Sequence, residues 1–380
     1  MGKAGLDCPE VVVARGLGWT TGSAMALVAS VGCYPTPDPP WLVDDRPELL
    51  ALRLEVASEG EYSAVVAATP ADRYRTEALP GDTITMRPWV TDATRVWPED
   101  ELDVAYFACF GVACIDALRN PSASDGCTDL VDLQAPACFI GRGALVDFVI
   151  PSGPLEVLST GVPEILAVAG LPGVATTDAC VEALREDPTG DVHDCMLLER
   201  FVAVGPRWVL GLLQQAALDA DATDGGSTDG GDTDSDDGYV PPPEVYLEWP
   251  NFNPEVERFS VAVSRQGSVR TIDAAPSDRI HVRAGDQVVV DFAPDPRDDQ
   301  RYATELAEDG SVNRIAESGF ADWFVNHRLD AFTNEPLGTS RVQWQVPRDV
   351  AELRIDLRVN DGRGGVGWGS LFFEVDGTPR

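Results

Sequence analysis

Six cysteines crowded into one stretch carry the most chemistry in this chain: Cys109, Cys114, Cys127, Cys138, Cys180 and Cys195. Thiols at such spacings do one of two things. They bind zinc, or they pair as disulfides. Zinc pairs sit two to four residues apart, and only "CFGVAC" (109–114) approaches that, with no second pair to answer it. An even number in one region of an exported chain reads instead as three disulfides. The spacing favours Cys180–Cys195 around a helical loop, and among the other four Cys109–Cys138 and Cys114–Cys127.

Other groups offer less. His193, His281 and His327 lie far apart and match no metal-binding or triad spacing. His281 alternates with Ile280 and Val282, which turns it outward from a strand. No G-x-S-x-G occurs, and "GRGG" and "GVGWG" (362–369) lack the following helix that phosphate binding requires. Asp232, Asp234 and Asp236 alternate as in a calcium loop, but Gly238 comes one place late and Pro243 stands where the closing acid belongs. Trp249 with Phe252, and Trp368, are candidates for a sugar-stacking platform, with core packing or edge covering as the favoured alternative. A hydrolytic site within 109–200 would need a nucleophile and base that the sequence does not name. No cofactor and no catalytic activity are expected.

The opening stretch has a different character. Residues 16–32 carry no charge, follow Arg15, and end at Cys33. As a helix the run spans about 25 Å, short of the ~30 Å hydrocarbon core, and fits a signal-peptide core better than a membrane span. "ASVGC" (29–33) resembles the lipobox of bacterial lipoproteins, although Ser30 stands where an aliphatic residue is usual. The resemblance implies that Cys33 is lipidated and becomes the mature N-terminus. It also implies outer-membrane sorting, because Tyr34 rather than aspartate follows. "YPTPDPP" (34–40) is a proline-stiffened tether. Asp7, Cys8 and Glu10 are out of place before a signal core, and a start near residues 11–13 is one explanation. A secretory signal without lipid and a buried helix over 11–33 are the competing readings.

Composition frames the rest. The 380 residues carry a net charge of −35 and 44% apolar side chains. Such a chain buries real cores and is repelled by nucleic acid and anionic headgroups. An aspartate- and glycine-rich run over 219–243 cannot form a core and reads as a solvated linker. It divides a first domain (42–218) from a second (244–377), after the signal (1–33) and tether (34–41).

Both domains read as strands. In the first, "LALRLEV" (50–56) alternates, with Leu50, Leu52, Leu54 and Val56 on one face. Residues 81–90, 102–110, 144–150 and 200–204 are further strands, and 176–187 is a helix capped by Thr176 or Thr177. The cysteine-bearing segments 109–138 and 174–198 therefore look like helical and loop insertions on a β-sandwich. In the second, "LRIDLRV" (353–359), "VGWGSLFFEV" (366–375), "RVQWQV" (341–346) and two strands in 278–292 give short strands with frequent turns, the mark of a sandwich. "WFVNHRLDAF" (323–332), "VQWQVP" (342–347) and "LRVNDGRGGVGW" (357–368) resemble bacterial immunoglobulin-like domains of the polycystic-kidney-disease and cadherin-like type. The first domain resembles that class more loosely.

The expected protein is thus all-β: two immunoglobulin-like sandwiches joined by an acidic linker, the first enlarged by a disulfide-stapled insertion. It is exported and lipid-anchored to the bacterial outer membrane or cell surface, with a structural or adhesive role. Its partners are the bilayer, through its acyl anchor, and a glycan or another envelope protein.

Overall fold

The computed structural model describes residues 42–66, 68–110, 114–118, 127, 137–151, 163–186, 192–205, 250–292, 294, 301–306, 312–316, 319–327, 329, 333–334 and 340–376. Cys8, Cys33, the signal and tether, the tail 207–218, the linker 219–243 and Trp249 lie outside them.

The chain is all-β, built as two sandwich-like units. The first contains β1 (Glu48–Ser58), β2 (Thr83–Thr91), β3 (Val104–Phe110), β4 (Ala137–Arg142), β5 (Val146–Val149), β6 (Pro163–Gly170) and β7 (Cys195–Phe201). These form antiparallel sheets of order β1-β2-β5 and β4-β3-β6-β7. Leu52, Leu54, Ile84 and Met86 of one sheet close on Tyr106, Ile165 and Ala167 of the other. Each such buried aliphatic side chain contributes about 1.5–3 kcal/mol.

The second sheet is apolar on both faces. Its outer face, with Phe107, Cys109, Leu166 and Val168, is covered by helices α1 (Cys114–Leu118) and α2 (Thr177–Glu186). Thr176 caps α2, its hydroxyl accepting from the Ala179 amide at 3.2 Å. Double burial explains why β6, "PEILAVAG", shows no alternation. Cys138 and Cys195 do not sit in insertion loops; they stand in β4 and at the head of β7.

The second unit contains β8 (Phe259–Arg265), β9 (Ser268–Ala274), β10 (Arg279–Arg283), β11 (Gln287–Phe292), β12 (Arg301–Leu306), β13 (Val312–Ala316), β14 (Phe320–Val325), β15 (Thr333–Asn334), β16 (Arg341–Gln345), β17 (Glu352–Asn360) and β18 (Val366–Asp376). One sheet runs β10-β18-β17-β14 and the other β15-β16-β11-β8-β9, with β12 and β13 as a separate hairpin. Among the described strand pairs only β10 on β18 is parallel; isolated parallel bridges join Leu42 to Val325 and Ala78 to Val204. Ile355, Leu357 and Phe373 face Val261, Val288 and Trp344 across the core, where Trp344 meets Phe373 edge-on at 5.2 Å.

The units pack face to face. A register shift between Leu49 and Ala51 turns Leu50 away from the core that holds Leu52 and Leu54. Leu50 instead joins Val43, Ala51, Trp89 and Val366 in an apolar patch between the units. The unbroken alternation over 50–56 is thereby corrected: a bulge shifts the inward phase to Leu49.

Candidate functional site

The disulfides are Cys109–Cys114, Cys127–Cys138 and Cys180–Cys195, with Cα separations of 5.2, 5.4 and 5.7 Å. The Cys180–Cys195 pairing matches the sequence expectation. The other two correct it, and strand alternation supplies the reason. Cys138 lies opposite Ala108 in the β3–β4 ladder and shares its inner face. Cys109 is one residue on and faces the helices. A bridge between them would have to pass through the sheet. Cys114, at the start of α1, instead meets Cys109 on the helix-covered face. No cysteine among the described residues is free.

At the start of α1 two carboxylates converge. Glu164 accepts from the Cys114 amide at 3.3 Å, and Glu199 from the Ile115 amide at 3.0 Å. Burial, and then the nearby Glu199 charge, raises the Glu164 carboxyl above its ordinary range.

Between the units runs a polar seam. Arg354 and Asp356, on the non-core face of β17, are 1% and 0% exposed and pair at 2.9 Å. Arg354 also donates to the Thr91 hydroxyl and the Asp92 carbonyl of the first unit, and Ser370 donates to Asp356 at 2.6 Å. Asn326 donates to the Ala93 carbonyl at 2.8 Å, and Arg358 to the Leu50 carbonyl at 2.6 Å. Farther along, Glu77 accepts from Arg363 at 2.7 Å and from the Asn251 amide at 3.1 Å, while Asn251 donates to Asp361 at 2.8 Å. Asn253 ties the Leu54 carbonyl to the Val366 amide, at 2.8 and 2.9 Å. Burial in this region pushes the Arg200 guanidinium, which donates to the Gly364 carbonyl, down to about 10.

Glycines make that closeness possible. A Cβ on Gly367 would lie 1.9 Å from the Pro254 carbonyl oxygen, and one on Gly365 2.9 Å from that of Phe252. The "GRGG" and "GVGWG" runs thus serve backbone approach.

The aromatic candidates divide accordingly. Phe252 is buried, and Trp368 stacks on Trp89 with centroids 5.6 Å apart and planes 3° from parallel. His281 points outward, as its alternation implies, 3.4 Å from Glu374. His327 lies 3.9 Å from Asp349, on a different element from His281. Among the described residues no cluster of His, Cys, Asp and Glu is arranged to hold a metal, and no helix is long and apolar enough to cross a membrane.

A concavity built from described residues lies at one edge of the second unit. It measures about 530 Å³ and lies where the β8–β9 and β10–β11 turns meet the end of β16. Gln266 and Gly267 both take positive φ, 47° and 83°, making the two-residue turn that closes Arg265 onto Ser268. Gly285, at φ 86°, turns the second hairpin. Asp286 clamps the two: it accepts from Arg265 at 2.7 Å and from the Arg283 amide at 2.9 Å. The Arg265 hydrogen bond above all holds the Asp286 carboxyl below its ordinary range. Gln345 donates to the Gly285 carbonyl at 3.3 Å. The sequence signalled two strands within 278–292 but not the cleft, which exists only once two hairpins lie side by side. No protein-family model matches this sequence, and no curated protein matches it either.

Proposed function

We propose that this chain is an exported, lipid-anchored envelope protein with a structural or adhesive binding role and no catalytic activity. The observation that carries the reading is the cysteine inventory: all six cysteines of the first unit are paired. Structural disulfides persist in oxidising compartments and are rare in a reducing cytosol. The signal-like run ending at Cys33 supplies the route and the anchor, and the immunoglobulin-like resemblance of the second unit supplies the precedent for display. The buried ion pairs speak for scaffold rather than catalysis. Arg75 and Asp82, 1% and 0% exposed, pair while Asp82 also accepts from Ser63 and the Gly60 and Leu79 amides. Such a carboxylate is already spoken for and closed to substrate.

The cleft favours a second reading, a carbohydrate-binding or accessory module. It is polar, preformed and of a size that suits a small ligand.

Growth with labelled palmitate, followed by fractionation, tests the anchoring. Label on the wild-type protein in the membrane fraction, absent from Cys33→Ser, is the expected result. An unlabelled, cytosolic and reduced protein would overturn the reading.

A further inference from the structure

We infer that the cleft between the β8–β9 and β10–β11 turns binds a sugar bearing a carboxylate, a uronic acid unit of a glycan. The inference rests on the binding role proposed above and names its ligand class.

Four features carry it. The concavity of about 530 Å³ is sized for one or two sugar rings. Its lining is polar: Ser264, Gln266, Gln287 and Gln345 bring one hydroxyl and three primary amides. Each of these groups both donates and accepts, as vicinal sugar hydroxyls do. A peptide would ask for apolar side-chain pockets, and the lining supplies none. Third, the charge is divided. Arg265 is ion-paired with Asp286, whereas the exposed Arg283 guanidinium, whose charge also acts on the Asp286 carboxylate, makes no hydrogen bond among the described residues. It is a planar fork left open for a carboxylate. Fourth, the walls are held in advance. The Asp286 clamp, the Gln345 bond to Gly285 and the left-handed Gln266 fix both turns before any ligand arrives. A non-glycine residue at positive φ is uncommon and concentrates where binding is preorganised.

The cleft also takes no part in the hydrogen bonds of the seam. Among the described residues, hydrogen bonds to the first unit come from residues 251–255, Asn326, β14, β17 and the segment 363–364, not from these turns. A chain of net charge −35 repels a long polyanion. That repulsion is screened beyond about 8–10 Å at physiological salt, so short uronate oligosaccharides are the preferred ligands.

Isothermal titration of the purified full-length chain with a galacturonate tetrasaccharide tests this. The carboxyl-reduced tetrasaccharide and a tetra-aspartate peptide serve as comparators. Saturable binding of the uronate is expected, at least tenfold tighter than either comparator. Arg283→Gln should weaken it at least tenfold and Gln287→Ala severalfold, with thermal midpoints unchanged. Arg348→Gln, an exposed arginine outside the cleft, should leave it intact. Absence of saturable binding at millimolar ligand would overturn the inference. So would binding indifferent to both Arg283 and Gln287, or equal affinity for either comparator. Because the assay is blind to acylation, its failure leaves the anchoring reading to the palmitate label alone.

Discussion

Glu164 shows how one residue's surroundings set a measurable property. It is 8% exposed, lies near the Glu199 charge, and accepts one compensating hydrogen bond, from the Cys114 amide, among the described residues. Burial, and then the Glu199 charge, therefore raises its carboxyl above the ordinary glutamate range, so the folded state prefers the protonated form. The stability this group contributes is present below about pH 4.5 and is lost as pH climbs through the raised folded value. Glutamine keeps an acceptor for the Cys114 amide and offers Glu199 a donor. Glu164→Gln should thus stabilise the protein at pH 7.5 by about 0.5–1 kcal/mol and make no difference near pH 4. Urea unfolding at the two pH values decides it; equal stability at pH 7.5 would mean that Glu164 is well solvated. Asp92 runs the other way. Burial raises it, but hydrogen bonds from Thr94, Arg95 and Trp97 outweigh that and hold it low.

At the scale of elements, β18 is shaped by what crosses it. Gly367 has the Pro254 carbonyl where its Cβ would be, whereas Gly267 has open space and only its φ of 83° to satisfy. Gly367→Ala should cost about 2–3 kcal/mol by displacing backbone. Gly267→Ala should cost about 1 kcal/mol from the left-handed conformation alone. Chemical denaturation of the two variants orders them, and a Gly367→Ala protein as stable as wild type would refute the tight crossing. Strands with one buried face were legible in the sequence: β16 and the core face of β17 fall where alternation puts them. β6 was not, because helices on one side and core on the other erase the period. Nor was the burial of Arg354 and Asp356. Their face of β17 has the polar pattern of a solvated surface, and the cover comes from residues about 260 positions away. The pairing of Cys109 and Cys138 failed for a related reason: spacing carries no information about which face of a sheet a thiol takes.

For the whole molecule, the seam decides how the two units are joined. The sequence presents 219–243 as a spacer between domains. The nearest described residues on either side of it, however, dock within one short stretch of the first unit. Ala78 bonds Ala203 at 2.8 Å and Gly205 at 3.0 Å, and Thr76 bonds Asn251 at 2.9 Å. The two units are therefore held by their contact rather than spaced by the chain between them. The seam joins a stacked tryptophan pair, buried arginines and backbone hydrogen bonds, and removing one partner of a buried charge pair is far costlier than losing a surface one. A block of this kind holds the β8–β9 and β10–β11 cleft in a fixed relation to the first unit. The most direct test is to place a specific protease site within 219–243, cut the folded protein, and run it on native size exclusion. Both fragments should elute together at the uncut volume and separate only in denaturant. Elution as two independent fragments under native conditions would contradict the seam and, with it, the single-block architecture.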